Sequence, residues 1–319
     1  MEGYFMNSTL QKRLLEKIKL GNGMQYILDE AYRILSNPIF IFDMEYKLIA
    51  ASNSAAVAKD DPISNEFLTQ SRLSKETIEF LKNEDFIDCV ANCIQYSGVT
   101  FLISDNLKYD RIFGLLHNKE HLPVADLCVV ACETPFENDA LDLIKLLCNI
   151  LSDELGNNDY YQDYGQKYQE SIIKKLIDGS IEDKRIYSGQ VANIDKGLKN
   201  NIFVAAVDIG HRDPSYTQLA HFRDLIKSVQ PDFKYFIYTN RIVILLSFVH
   251  NELDVEKDLH ALYMLFEQQD MYAGISNSFD NLYDLQIYYN KAVFSLNHGL
   301  INKRRLTGYN SKESCTFLK

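Results

Sequence analysis

Apolar residues recur along this chain with two periods, and each change of period marks a new element. Leu10, Leu14, Leu15 and Ile18 stand three and four apart behind Ser8-Thr9-Leu10-Gln11, a capping-box pattern, and the run stops at Gly21. After Gly21-Asn22-Gly23 the helical spacing returns in Ile27, Leu28, Ala31, Ile34 and Leu35, up to Asn37-Pro38. Ile39-Phe40-Ile41-Phe42 predicts a short strand, Asp43-Met44-Glu45 a turn, and residues 46–51 the returning hairpin partner. Residues 60–97 read as mostly helical and polar. Beyond Gly98, residues 99–104, 111–117 and 124–132 predict three more strands. Helices leading into an antiparallel sheet predict a small α+β domain of sensory type over residues 1–156.

A long helix is predicted from Asn138, with Leu141, Ile144, Cys148, Leu151 and Leu155 forming an a/d row of about two heptads. The row fits two packings: against its own domain, or as a seam holding two chains in a homodimer. Gly156-Asn157-Asn158-Asp159 interrupts it, and Tyr168, Ile172, Ile173, Leu176 and Ile177 resume the pattern until Gly179, giving a helical connector over 157–199. The second half has a cleaner rhythm. Strands are predicted at 201–208, 235–238, 242–248 and 271–275, and helices at 216–229, 253–266 and 282–296, the last ended by Gly299. That order, β-α-β-β-α-β-α over 200–300, predicts a ferredoxin-like split βαβ domain with an antiparallel sheet. Residues 301–319 are left as a tail.

Composition narrows the function classes. With 46% hydrophobic and 24% charged residues among 319, the chain is an ordinary globular protein of two domains. Nothing approaches the run of about 18 apolar residues that spans a membrane, and the first residues lack the basic-then-apolar order of an export signal. Six cysteines in such a chain read as reduced thiols of a cytoplasmic protein. Net charge is −11, and the acidic excess falls in the first half, where 24 Asp/Glu face 14 Lys/Arg. Such a balance offers no broad surface for a phosphate backbone. Lys303-Arg304-Arg305, the basic run, reads as a solvated face.

Catalytic patterns are missing. There is no phosphate loop, dinucleotide fingerprint, nucleophile elbow or His-Glu-x-x-His. Cys89/Cys93, His117/His121 and Cys128/Cys132 are paired four apart, the spacing of metal ligands on a helix. Cys128 and Cys132 fall in a predicted strand, where four residues span about 13 Å, so buried thiols are the reading rather than a metal site. Asp208 ends a strand where palm-like folds place a metal-binding carboxylate, and Asp213 follows beyond a turn. A two-metal site needs convergent acids, so Asp208 is expected to cap its turn. Arg111, Phe113, Leu115 and His117 share one strand face by period two. Arg111, Phe113 and His117 therefore form the candidate effector site, suited to an anionic small molecule.

Three stretches resemble one bacterial regulator family. "ILDEAYRILSNPIFIFDMEYKLIAAS" from Ile27 to Ser52 resembles the opening of the sensory domain in regulators of the purine-catabolism and sugar-diacid type, PucR/CdaR. "GISNSFDNLYDLQIYYNKAVFSL" from Gly274 to Leu296 is similar to the ending of that family's central domain, with its Gly-Ile-Ser turn, and "ESIIKKLIDG" from Glu170 to its interdomain helix. Residues 124–155 resemble the close of a PAS/GAF-like fold. The resemblance implies a cytoplasmic transcription regulator: a PAS/GAF-like effector-sensing domain, a connector, and a degenerate GGDEF-like domain without cyclase activity. Tyr238-Thr239-Asn240-Arg241 stands where a cyclase would carry its Gly-Gly-Asp/Glu-Glu-Phe hairpin, with neither glycine nor paired acid. Family members continue into a helix-turn-helix that reads DNA. This chain stops at Lys319, so DNA contact is expected only through a domain it does not contain, with Leu306-Thr307-Gly308-Tyr309 as the link. The expected partners are a small-molecule effector and a second copy, with no cofactor, metal or membrane. The competing readings are a nucleotide-handling enzyme using Asp208 and a dimerisation module that does not bind DNA.

Overall fold

The computed structural model describes residues 12, 15–16, 23–81, 83–96, 98–103, 105–137, 139–181, 183–198, 201–208, 225–226, 228, 233–248, 252–310 and 314–317. Most of the first predicted helix, most of the helix predicted over 216–229, and Asp213 lie outside the described residues. The fold is α+β, with two sheets in two compact units. Met1–Gln169 and Asp183–Gln190 form the first unit, and Glu170–Glu182 with Val191–Lys319 the second. Among the described residues no helix is long and apolar enough to cross a membrane.

The first unit opens with α1, Met24–Leu35, which ends where Ser36 takes a left-handed conformation and returns its N–H to Tyr32. β1 (Ile39–Asp43) and β2 (Leu48–Ala51) pair as the predicted hairpin. Asp43 builds its turn: Oδ1 accepts the backbone N–H groups of Glu45 and Lys47, each at 2.9 Å. A 3-10 segment (Asn53–Asp60) then leads into α2 (Pro62–Gln70), α3 (Lys75–Leu81) and α4 (Phe86–Tyr96). α2 starts as its sequence dictates, with Asp61 as N-cap and proline in the first turn. β3 (Val99–Leu102), β4 (Arg111–His117) and β5 (Pro123–Val130) complete an antiparallel sheet of order β2-β1-β5-β4-β3. β5 is the central strand and is buried along its whole length.

Register assigns the two faces. Ile39, Ile41, Ile112, Leu127 and Val129 point towards α1 and α5 (Ala140–Gly156), where they form one core with Ile144, Leu147, Cys148, Leu151 and Leu155. α5 lies so close to β4 that a Cβ on Gly114 would stand 2.4 Å from the Cys148 sulfur. The predicted two-chain seam is corrected here. Ile144, Cys148, Leu151 and Leu155 are spent in their own unit's core, and only Leu141, 43% exposed, faces away. A second chain could reach the other four only by unpacking a core in which each such side chain stabilises by about 1.5–3 kcal/mol.

Beyond α5, the helices α6 (Asp159–Asp178) and α7 (Lys184–Lys196) each carry residues of both units. Within the first unit, the Tyr168 hydroxyl donates to the Met44 carbonyl at 3.2 Å. Gly189 closes on α4, where a Cβ would meet the Ala91 carbonyl at 2.4 Å. Gly179 ends α6 with φ 65°, as its place after the apolar run predicts.

The second unit has a sheet of order β11-β10-β9-β6-β8-β7. β6 (Asn201–Asp208), β7 (Lys234–Tyr238), β8 (Arg241–Phe248) and β9 (Tyr272–Ile275) pair antiparallel with one another in the order β9-β6-β8-β7. α8 (Glu252–Gln268) joins β8 to β9. A 3-10 turn (Leu282–Asp284) precedes α9 (Leu285–Ile301). Three expectations change. Gly299 does not end α9; it is buried inside it, and a Cβ there would meet Thr307 Oγ1 at 2.6 Å and the Arg304 carbonyl at 2.8 Å. Gly274 is a strand residue rather than part of a turn, because α9 crosses it closely enough that a Cβ would stand 2.1 Å from the Leu296 nitrogen. Part of the 301–319 tail extends the sheet: β10 (Leu306–Asn310) pairs parallel to β9 across the α9 crossover, and β11 (Ser314–Phe317) pairs with β10. Leu306 is fully buried there.

Candidate functional site

The face of the first sheet turned away from α5 carries the chemistry. Cross-strand pairing aligns Phe42, Asp126 and Leu115 in one row, and Phe40, Cys128 and Phe113 in the next. Aromatic rings fill the layer above it: Phe42 stacks on Phe67 at 5.2 Å and on Tyr46 at 5.8 Å, and Phe113 meets Phe86 edge-on at 4.7 Å. Arg111 stands at one end of β4 on this face, and the Cys93 thiol of α4 faces the same layer within electrostatic reach of Asp126 and Cys128.

Arg111, Phe113 and His117 do not form one site. Arg111 and Asp61 are each 1% exposed and paired at 2.7 Å, and Arg111 also donates to the Tyr109 carbonyl at 2.6 Å. A guanidinium already answered by a buried carboxylate is not available to an anionic effector. Phe113 is a wall of the aromatic layer. His117 lies six residues along the strand, about 20 Å from Arg111, and a bulge between Leu116 and His117 breaks the alternation that linked them. Its ring stands 6.4 Å from that of His121, and burial, together with His121, lowers its pKa.

Asp126, absent from the predicted site, stands out in the structure. It lies in the middle of the central strand, 1% exposed, and its Oδ1 has no hydrogen-bond partner. Burial, reinforced by the charge of Asp43, raises its pKa well above the ordinary carboxylate value. A protonated carboxyl presents one donor and acceptor capacity side by side. Tyr46 is buried nearby, its phenol pushed upward chiefly by burial and then by Asp126. The signal is present in the sequence: Pro123-Val-Ala-Asp-Leu-Cys-Val-Val130 places one charged residue inside an otherwise apolar strand.

The thiols behave as buried apolar groups. Burial pushes Cys93 and Cys128 up to about 12, Cys89 and Cys132 up to about 11, and Cys148 upward as well. Cys132 lies past the end of β5 instead of in the strand with Cys128. No group of three or more metal-ligating side chains occurs among the described residues.

In the second unit, Tyr272, Asp208, Arg241 and Tyr238 stand opposite one another across four strands. The Tyr238 hydroxyl donates to Asp178, and that bond, with burial, pushes its pKa up to about 12. Arg241 Nη1 reaches the Tyr289 hydroxyl at 3.5 Å, and its Nε has no partner. The Tyr238–Arg241 hairpin turns through Thr239 at φ 55°, in a left-handed conformation that favours glycine. Asp208 is the sole acid in the row, so the row itself supplies no second carboxylate to share a metal with it.

No protein-family profile matches this sequence, and no curated protein matches it. Among solved structures the chain is similar to the crystal structure of the E. coli DhaR(N)-DhaL complex, with 11% identity over 76% of this chain and 86% of that one, at a TM-score of 0.28. It is also similar to the photosensory core module of the Stigmatella aurantiaca phytochrome, with 12% identity over 70% of this chain and a TM-score of 0.30. The match spans about half of that phytochrome chain, 52%. Both are distant likenesses of architecture, weaker than a shared fold, and lend no residue a role.

Proposed function

We propose that this chain is a cytoplasmic effector-sensing regulatory protein of the PucR/CdaR kind and not an enzyme. In this reading the first unit is a PAS/GAF-like sensor that takes a small molecule between its sheet and the helical segment 53–96. Asp126 is the polar anchor of that molecule. The observation that carries the reading is the buried Asp126 carboxyl, its Oδ1 without a hydrogen-bond partner and its pKa raised by burial, set among stacked rings on a central strand. A buried acceptor left unsatisfied costs about 1–3 kcal/mol, a penalty that a donor on a ligand would remove. The order β2-β1-β5-β4-β3, with helices inserted between β2 and β3, supports the PAS/GAF assignment. The order β9-β6-β8-β7 of the second unit, and a hairpin without glycine or paired acid, support a degenerate GGDEF-like domain.

The test is thermal denaturation of the full chain against a panel of small polar metabolites at neutral pH. A ligand of the folded chain must raise the midpoint by mass action. It should do so in the wild type and lose most of that effect in Asp126→Val. Equal shifts in both proteins would remove Asp126 from the site. Incubation with nucleoside triphosphates and Mg²⁺ or Mn²⁺ should yield no dinucleotide product. Turnover abolished by Asp208→Ala would replace this reading with the enzymatic one.

A further inference from the structure

The layer around Asp126 has an unbalanced sign. Oδ1 of this 1%-exposed side chain has no hydrogen-bond partner. The titratable groups near it are acidic or neutral: Asp43 and Tyr46 from the β1–β2 hairpin, Cys93 from α4 and Cys128 from β5. Cys148 of α5 lies within electrostatic reach on the opposite face. Arg111, the cation at the edge of the layer, is matched one to one with Asp61 at the start of α2. The walls are rings. Tyr46, Phe42, Phe67 and Phe40 form a stacked run with successive centroids 5.8, 5.2 and 6.2 Å apart. Ring faces carry the negative side of the aromatic quadrupole and attract cations.

We propose that the molecule held at Asp126 is a small protonated amine, its N–H donating to Oδ1 and its charge set against the carboxylate and the ring faces. The inference rests on the reading of the first unit as a sensor, and it adds the sign of the ligand. An anion would meet Asp126 and Asp43 in a layer whose guanidinium is already spent on Asp61. A neutral donor would satisfy Oδ1 and leave both the acid charge and the ring faces unused. A quaternary ammonium has no N–H to give. The acidic excess of the first half draws cations towards this unit as well. Binding also moves a proton. The ammonium keeps its own proton and pairs with a carboxylate, so a chain whose Asp126 is still protonated releases that proton to solvent. Burial and Asp43 hold the proton on Asp126 above the ordinary aspartate range. Affinity therefore rises with pH, by up to about tenfold per unit, until Asp126 ionises unaided.

Titration calorimetry of the full chain tests the sign with matched probes. The probes are primary and secondary amines from methylamine to phenethylamine, each paired with the alcohol and the carboxylate of the same skeleton. At least one amine should bind about tenfold or more tighter than its alcohol and its carboxylate. Proton release, counted in buffers of different ionisation heat, should accompany it and approach one per amine at low pH. Asp126→Asn keeps the shape of the side chain and should lose about tenfold or more in amine affinity and release no proton. Phe67→Leu removes a ring and keeps the acid, so it should weaken the amine several-fold with proton release intact. Alcohols that bind as tightly as amines, and through Asp126, would overturn the amine and leave Asp126 as anchor of a neutral ligand. A carboxylate preferred over its amine would overturn the proposal too. Amine binding unchanged in Asp126→Asn would remove the amine and the anchor together. No binding of any amine at tens of millimolar would end the proposal, while the metabolite panel judges the sensor reading by itself.

Discussion

Replacing Asp126 by asparagine keeps the shape of the side chain and takes away its ionisation. In the folded chain burial holds the Asp126 proton at pH values where the unfolded chain, with an ordinary aspartate pKa near 4, has released it. The native state then binds more protons than the unfolded one. Stability is accordingly full below about pH 4 and falls as pH rises towards the folded-state pKa, at about 1.4 kcal/mol per unit through that window. Asp126→Asn has no such slope. The variant should therefore gain on the wild type as pH rises above the ordinary aspartate pKa, and the gain should level off once the wild-type carboxyl ionises in the folded chain. An unsatisfied amide proton adds only a constant offset, so the slope is the cleaner quantity. The chain has no tryptophan, so urea unfolding is best followed by far-ultraviolet circular dichroism. Two units are present, and the effect should be confined to the transition of the first. A difference between variant and wild type that stays flat with pH would refute the argument, because it would mean that the Asp126 carboxyl ionises alike in both states.

Three further outcomes follow from packing. Leu151→Asp should unfold the first unit, a loss of several kcal/mol read by denaturant midpoint, whereas Leu141→Asp should change stability by less than about 0.5 kcal/mol. Asp61→Asn should cost about 3–5 kcal/mol by stranding the Arg111 guanidinium, and joining it with Arg111→Met should recover most of that loss in a double-mutant cycle. Gly274→Ala should lower the melting of the second unit by several degrees, since its Cβ would collide with the α9 backbone, which cannot rotate away as a side chain could.

Much of the fold is legible in the sequence because burial follows period. The Ile39–Asp43 hairpin, the strands at Arg111–His117 and Asn201–Asp208, and the stop at Gly179 all fall where alternation or a helix-ending glycine places them. Where the reading fails, a long-range neighbour decides. Gly299 and Gly274 look like punctuation in one dimension and are in fact points where helix and strand backbones touch. The a/d row of α5 cannot by itself say whether the surface it meets belongs to its own sheet or to another chain. The candidate site fails for a different reason. Period two grouped Arg111 with His117, but a bulge and a distant acid, Asp61, separate their roles, and no local pattern announces either. Asp126 was readable, as the single charge in an apolar strand.

The division of residues between the units bears on how the protein can be cut. A fragment that ends with α5 at Gly156 closes a helix and leaves a complete five-stranded sheet. Such a fragment would lack Tyr168, whose hydroxyl satisfies the Met44 carbonyl in the β1–β2 turn, and Gly189, which seals the backbone of α4. It would leave water at the turn that holds Tyr46 and at the helix that carries Cys93, two walls of the layer around Asp126. Protease should therefore trim the isolated piece from α4 inward, while the full chain resists at the same bonds.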